Sequence, residues 1–356
     1  MKAEIKDKEL LKYRCVKESS LYTKRGDRIR CDLCERRCHI PLGGLGFCRT
    51  RANIDGKLYT LVYGDISSIS SNPIEKKPFF HYYPGSYALT IGTWSCNFTC
   101  PWCQNYDISK YYPEPHKANY ISPEDFVNLA VSEGCQGVSF SFNEPTLLFD
   151  YAIDVFPLAR KLNMYANYVS NGYMTLEALR ALKGAGMDAI KFDVKGNADA
   201  VGKLCAAKVE IVWRNVREAK RMGLHIEVVN LIIPGVNDDE FNMRELVQNH
   251  IKEAGESTPL HFTRFYPAYK MVDRASTPIS TLEKAHEIAK KEGLQYVYIG
   301  NVPGHRFENT YCHNCNELLI KRYGFSIIKY SITFDKRCPK CRERIPIVGN
   351  YVKLLP

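Results

Sequence analysis

No apolar run in the 356-residue chain approaches the roughly 20 residues that a membrane-spanning helix needs. The first residues, Met1-Lys2-Ala3-Glu4-Ile5-Lys6, are too charged for the apolar stretch of a signal peptide, so a cytoplasmic protein with no membrane partner is expected. Long linkers, low-complexity tracts and internal repeats are also missing, which excludes solenoids and disordered tethers. What remains is an ordinary globular composition, 45% hydrophobic and 25% charged, in a chain long enough for one large domain with appendages or for two.

Acidic residues are the scarcer charge, 39 against 49 basic, giving a formal net charge of +10. The excess sits at the two ends: residues 1–84 hold 17 basic and 10 acidic side chains, and residues 305–356 hold 10 and 4. Such a balance suits nucleic acid or an acidic partner, although each four-thiolate metal site would cancel two of these positive charges.

Cysteine is abundant, with 14 residues, and in a cytoplasmic protein that points to metal or redox chemistry before disulfides. Eleven of the 14 fall into three groups: Cys31, Cys34, Cys38 and Cys48; Cys96, Cys100 and Cys103; and Cys312, Cys315, Cys338 and Cys341. Cys15, Cys135 and Cys205 stand apart and read as small buried hydrophobes.

From residue 87 onward, short β-rich runs alternate with helical patterns. The strand candidates are Tyr87–Gly92, Gly137–Phe142, Met164–Val169, Ala189–Val194, Ile226–Ile232, Leu260–Phe265 and Gln295–Ile299. Several are apolar on both faces, as strands covered on both sides should be. Ser122-Pro123-Glu124-Asp125 reads as a helix start, and Thr175 caps a helix that stops near Gly184 and Gly186. Further helices are expected over Trp213–Met222, Asp239–Glu253 and Thr281–Glu292. About six βα units predict an α/β fold built on a partial (β/α)6 TIM-like barrel, with chemistry at the C-terminal ends of the strands. The expected division is an N-terminal cysteine module over 1–84, the barrel over 85–304 and a C-terminal cysteine module over 305–356.

The central cysteines, Cys96-Asn97-Phe98-Thr99-Cys100-Pro101-Trp102-Cys103, form a C-x3-C-x2-C loop directly after the first strand. Three thiolates on one loop suit a [4Fe–4S] cluster whose fourth iron has no protein ligand. Structural zinc wants four ligands, and no fourth cysteine follows nearby. Cys312-x2-Cys315, 22 residues, and Cys338-x2-Cys341 make a paired knuckle that suits zinc, with rubredoxin-like iron as the alternative. Strands are expected between the knuckles, over Phe325–Ile328 and Tyr330–Phe334. Cys31, Cys34, Cys38 and Cys48 also make a four-ligand set, with zinc and a second, fully ligated [4Fe–4S] cluster as the two readings, and His39 as a substitute ligand.

The central loop resembles that of radical S-adenosylmethionine (SAM) enzymes, particularly relatives of the pyruvate formate-lyase activating enzyme. The resemblance implies a radical SAM barrel in which the open iron chelates SAM and reduces it to methionine and a 5′-deoxyadenosyl radical. That radical would take hydrogen from a substrate C–H bond, with an external ferredoxin- or flavodoxin-type donor supplying the electron. It places Trp102 beside the adenine and Asn143-Glu144-Pro145 at the amino group of SAM. Ser170, Asn171, Asp193 and Lys195 fall at strands that contact the carboxylate and ribose, Lys195 pairing with the carboxylate and Asp193 holding Lys195 or a cation. Pro234-Gly235 resembles the turn beside the adenine. His261 and Arg264 are candidates for contacting substrate or SAM, whereas His225 precedes its strand's apolar run and reads as structural. Relatives with extra clusters carry them inside the radical SAM loop, so zinc is the preferred reading at the N-terminal cysteines.

A closer resemblance, over residues 28–350, is to the radical SAM member of the AmmeMemoRadiSam group. It rests on Cys31–Arg49, Gly56–Gly64, His261–Phe265, Tyr296–Val302 and Asn309–Cys312. Tyr266 departs from that group, which commonly has a His there. The resemblance implies Memo-like and AMMECR-like partners and a protein, small-molecule or RNA substrate. The cysteine modules are expected to flank the barrel entrance. Two other readings stand beside it: an enzyme that activates a glycyl-radical protein, and a nucleic-acid-binding protein whose cysteines hold only structural zinc or iron.

Overall fold

The computed structural model describes residues 8–353. Its largest sheet has eight strands: β1 (Ser68–Pro73), β2 (Tyr87–Gly92), β3 (Gly137–Phe140), β4 (Tyr165–Ser170), β5 (Ala189–Asp193), β6 (His225–Ile232), β7 (Leu260–Arg264) and β8 (Val297–Gly300). Their spatial order, β8-β7-β6-β5-β4-β3-β2-β1, follows the chain. All seven expected strands are therefore present, in an α/β fold. β1 is the addition. It runs antiparallel to β2, as the bonds from Ser67 N to Gly92 O and from Ile74 N to Ser86 O show. Most of its residues keep some solvent exposure, so its sequence, Ser-Ile-Ser-Ser-Asn-Pro, carries no apolar run to announce a strand.

The parallel pairings are continuous, with Ala88 and Tyr165 both opposite Gly137, and Leu260 opposite Val228 and Val297. Gly137 is obligatory, because a Cβ there would come within 2.1 Å of the Tyr165 ring. Two helices between strands begin where the sequence placed their caps, at Ser122 and Thr175, and a third is capped by the first residue of its expected range, Asp239. The Ser122 hydroxyl accepts from Asp125 N for Pro123–Ser132, Thr175 from Ala178 N for Leu176–Ala185, and Asp239 from Asn242 N for Glu240–Ala254. Leu176–Ala185 ends on Gly186 at φ 116°, which favours glycine. Val209–Arg221 and Ile279–Lys291 complete the expected set. The helix Phe149–Lys161 was not expected, since Pro157 inside it interrupts the pattern. Its buried face of Phe149, Tyr151, Ala152, Val155, Phe156 and Ala159 sustains it. No described helix is long and apolar enough to cross a membrane.

Compactness divides the chain along other lines than 1–84, 85–304 and 305–356. One unit takes the segment ending at Ser71, Ala88–Thr99 and Cys103–Ala189; the other takes Asn72–Tyr87, Cys100–Trp102 and the chain from Ile190. In the first unit, Phe126, Phe140, Tyr151, Phe156 and Tyr168 form a chain of ring contacts. The N-terminal segment adds two three-stranded sheets. It is fastened by a buried ion pair, Arg51 Nη2 to Asp150 Oδ2 at 2.9 Å.

In the second unit, the C-terminal ribbon is a three-stranded antiparallel sheet of Thr310–Tyr311, Leu318–Tyr323 and Ser326–Tyr330. Its hairpin turns at Gly324, so the expected strand over Tyr330–Phe334 is instead the exit from the sheet. Leu319, Ile320, Ile332, Ile345 and Ile347 pack with Phe80, Tyr296 and Tyr298 in one core. Arg322, 2% exposed, donates to the carbonyls of Glu308 and Phe80 and to Thr310 Oγ1. Tyr296 immediately precedes β8 and Tyr298 is its second residue, so the ribbon lies at the beginning of that strand.

Candidate active site

The loop after β2 is held from several sides. Ser95 opens it in the left-handed region at φ 70°, and Ser95 N donates to Ile108 O at 2.8 Å. Lys110 Nζ donates to Phe98 O at 3.0 Å, and Phe98 N to Cys96 Sγ at 3.4 Å. Arg36, from the N-terminal segment, sends Nε and Nη2 to the Asn97 carbonyl at 2.9 and 2.7 Å. Cys96 and Cys103 are half-buried.

The ends of β3 and β4 close on this loop. Asn143 accepts from Thr93 N at 3.1 Å and donates to Ser95 O at 2.7 Å, spanning the start of the loop. Phe142, just before it, takes φ 67°. Glu144 is 1% exposed, and its carboxylate accepts four hydrogen bonds: from Thr146 N, Thr146 Oγ1, Ser170 Oγ and Asn171 N. Burial raises its pKa, and these donors act against the rise. Three of these bonds fall on Oε1 and one, from Asn171 N, on Oε2. Asn171 continues the network, its Nδ2 donating to Asn97 Oδ1 at 2.7 Å. Pro145 opens the short 3-10 turn Pro145–Leu148 that Glu144 caps.

In the second unit, Cys100 is buried and Trp102 2% exposed. Lys270 N donates to Pro101 O at 2.9 Å. Cys205, read from sequence as a small hydrophobe, places its Sγ 3.4 Å from Cys100 Sγ. At the end of β5, Asp193 accepts from Lys191 and, at 3.2 Å, from Lys195. Burial opposes ionisation of Asp193, but the two ammonium groups outweigh it and hold its pKa at about 2. Lys191 was not singled out from sequence; it lies two residues before Asp193 on the same strand face. Past β6, Gly235 takes φ 68°, its N–H donates to Asp238 Oδ1 at 2.8 Å, and Arg274 donates to the Pro234 carbonyl.

Arg264 ends β7, its Nε donating to Thr277 O at 2.8 Å and its Nη1 meeting the Tyr266 hydroxyl at 3.3 Å. His261 requires a correction. It is the second residue of β7, 1% exposed, and its Nε2 lies 2.7 Å from Glu227 Oε2. Glu227, fully buried, also accepts from His225 Nε2 and from the backbone N–H groups of Phe80 and His81. His261 therefore belongs with His225 toward the beginnings of the strands and does not reach their C-terminal ends. Strand geometry makes the reason plain, since three residues separate His261 from Arg264 by about 10 Å.

The two flanking cysteine groups differ in geometry. In the ribbon, Cys312 Sγ lies 3.5 Å from Cys341 Sγ and Cys315 Sγ 3.6 Å from Cys338 Sγ. All four ligand atoms fall within 4.8 Å of one another, which suits a metal ion. Each knuckle ends in a left-handed residue, Asn316 at φ 57° and Arg342 at φ 64°. Backbone donation from Glu343 brings the Cys341 thiol down to about 6, ready to ligate as thiolate.

A parallel βα sheet with a C-x3-C-x2-C loop at the end of its first parallel strand defines the class. Residues 91–246 match the family model of the Radical SAM superfamily, and the chain belongs to that superfamily. Membership implies catalysis of radical chemistry with SAM and a [4Fe–4S] cluster. Among its relatives is an uncharacterized protein of Methanocaldococcus jannaschii, 43% identical over 335 residues, covering 94% of this chain and all of the relative. A GTP 3′,8-cyclase of Nautilia profundicola is 24% identical over 257 residues, 68% of this chain and 79% of that enzyme. Similar solved structures include a radical SAM methyltransferase from Sphaerobacter thermophilus, with TM-score 0.49, 12% identity and coverage of 81% and 78%. Another is a domain of a pyruvate-formate lyase-activating enzyme from Bacteroides vulgatus, with TM-score 0.41, 16% identity and coverage of 46% and 99%.

Proposed function

We propose that Cys96, Cys100 and Cys103 hold a [4Fe–4S] cluster with which the enzyme cleaves SAM reductively and abstracts hydrogen from a substrate in a Memo-associated pathway. The observation that carries the reading is the three-thiolate loop at the C-terminal end of β2, inside the span that matches the superfamily. Three soft ligands on a loop fixed by Arg36, Lys110 and Asn143 fit an iron–sulfur cubane with one open iron. When bound, cluster and SAM together supply the electron transfer and the 5′-deoxyadenosyl radical.

The chain's own residues bind and orient. Asn143 bonds the loop's backbone at Ser95, and Asn171, whose N–H Glu144 accepts, bonds the side chain of Asn97. Lys195, kept cationic because the paired Asp193 outweighs the effect of burial, is the side chain we assign to the carboxylate of SAM. Arg264 and Tyr266 line the end of β7 on the substrate side.

The test is anaerobic. The protein is reconstituted with iron and sulfide, given dithionite and SAM, and assayed for 5′-deoxyadenosine, with Cys96→Ala as control. Formation that disappears in the variant supports the reading; a preparation that takes up only zinc overturns it. Incubation with a glycyl-radical protein, read by electron paramagnetic resonance, tests the activating-enzyme alternative. A glycyl radical would refute the Memo-associated assignment and leave the SAM chemistry standing.

A further inference from the structure

Four thiols of the N-terminal segment surround one cavity without closing on a point. Cys31, Cys34, Cys38 and Cys48 line it together with Arg51 and Asn97. Zinc, bound at about 2.3 Å by four sulfurs, draws them to roughly 3.8 Å from one another. The ribbon thiols show that spacing. Among the described residues, the ribbon quartet is the one group in which three or more ligand atoms lie within 4.8 Å of each other. No three of the N-terminal thiols meet that spacing, and a cubane, whose terminal thiolates lie roughly 6–7 Å apart, does not ask them to.

Two further observations separate this site from a zinc knuckle. Arg51 is 1% exposed and Asn97 fully buried, yet Arg51 Nε and Asn97 Nδ2 have no hydrogen-bond partner. Both residues line the cavity that the thiols border. A zinc ion brings no acceptor of its own, whereas a cubane brings four bridging sulfides that accept N–H groups. The backbone differs as well. In the ribbon, the residue after each C-x2-C pair is left-handed; after Cys31-x2-Cys34, the left-handed positions are instead Arg37 and Arg49.

We infer that Cys31, Cys34, Cys38 and Cys48 hold a second [4Fe–4S] cluster, one thiolate on each iron, with Arg51 and Asn97 donating to its sulfurs. This replaces the zinc reading that the sequence favoured. The centre is joined to the SAM loop through the protein: Arg36, two residues after Cys34, donates to the Asn97 carbonyl, and Ser95 Oγ donates to Cys48 O at 2.7 Å. Asn97 thus borders the N-terminal cavity and adjoins Cys96 in the chain.

The deciding experiment keeps the full chain and all four N-terminal ligands. Wild type and the C96A/C100A/C103A variant are reconstituted anaerobically with iron, sulfide and zinc together. Iron, zinc and acid-labile sulfide are then counted per chain, and the iron is typed by Mössbauer spectroscopy. The expected result is about eight irons in wild type and about four in the variant, all as [4Fe–4S], with about one zinc in each. A variant without iron and with about two zinc ions per chain overturns the inference. Should the variant not fold, wild type still decides, because about four irons and two zincs refute it while leaving the SAM cluster intact. Adding C31S/C34S to the variant removes the remaining iron and leaves the ribbon metal unchanged.

Discussion

Replacing Glu227 with Gln changes one oxygen for one NH2 in a fully buried site, and its cost follows from the bonds around it. Oε1 accepts from His81 N at 2.8 Å and from His225 Nε2 at 3.0 Å; Oε2 accepts from Phe80 N at 3.0 Å and from His261 Nε2 at 2.7 Å. Whichever way the amide turns, its NH2 faces one of the two backbone N–H groups. A histidine facing the NH2 can answer by exchanging tautomers, but a backbone amide cannot. One buried donor is therefore orphaned, at about 1–3 kcal/mol, and the remaining bonds lose their ionic character. We expect a loss of about 3 kcal/mol, or roughly 6–12 °C in Tm for a unit of this size.

Thermal unfolding of the anaerobic protein, followed by circular dichroism, provides the measurement. The sign of the pH dependence adds a second check. Burial alone would raise the Glu227 pKa, but the donors from His225 and His261 outweigh it and hold it far below the usual carboxylate range. Its contribution is thus fully present above the unfolded-state value near 4.5 and lost as pH falls below it. E227Q should differ from wild type by the same amount at pH 6 and pH 8. A Tm within about 2 °C of wild type, or a difference that vanishes at pH 6, would refute the assignment of four accepted bonds to an ionised Glu227.

Three histidines carry a separate acid sensitivity: burial brings His81 and His286 down to about 3 and His250 to about 4. All three are neutral in the fold and titrate near 6.5 once unfolded, so stability is retained above 6.5 and falls as pH drops toward 4. At pH 5, unfolding should take up about three protons from these groups, read as a positive slope of denaturation free energy against pH; a flat profile would contradict their burial. Asp239→Ala removes the cap of Glu240–Ala254 and should lower stability by about 1 kcal/mol in guanidinium titration. Cys341→Ser should release about one metal ion per chain, measured by mass spectrometry, and disorder the ribbon, since so small a sheet needs its metal to fold.

The barrel was legible because its signals are local and redundant. Ser122 and Thr175 announce helices by a side-chain oxygen three residues ahead of the N–H it caps, and the seven parallel strands are runs of apolar residues. β1 and Phe149–Lys161 were missed for opposite reasons. The first forms through backbone bonds at a sheet edge that needs no apolar run, and the second through tertiary burial strong enough to override an internal proline. The cysteine groups were legible as groups, because ligand spacing is a property of the chain. Which metal suits each is a property of distances between sulfurs, and these are set by turns and by neighbours such as Arg51 that no local pattern reports.

Roles along a single strand are harder to read, and β7 shows why. His261 and Arg264 are both polar residues in a five-residue strand, and nothing in their sequence separates a group near the strand's beginning from one at its end. The difference lies in what each end meets. Toward the beginnings of β6, β7 and β8 stand Glu227, His225, His261 and Tyr298, closed over by Phe80 and the ribbon's Arg322. At the ends of β5 and β7 stand Asp193 with Lys195 and Arg264 with Tyr266, in positions that keep partial exposure, Asp193 also accepting from the buried Lys191. A buried carboxylate that takes four donors fixes the strand beginnings, and a paired acid and cations at the open end are what an amino-acid-bearing cofactor such as SAM can engage. The two polar sets therefore differ by their height in the barrel and their burial, and the order of residues within each strand decides to which set a side chain belongs.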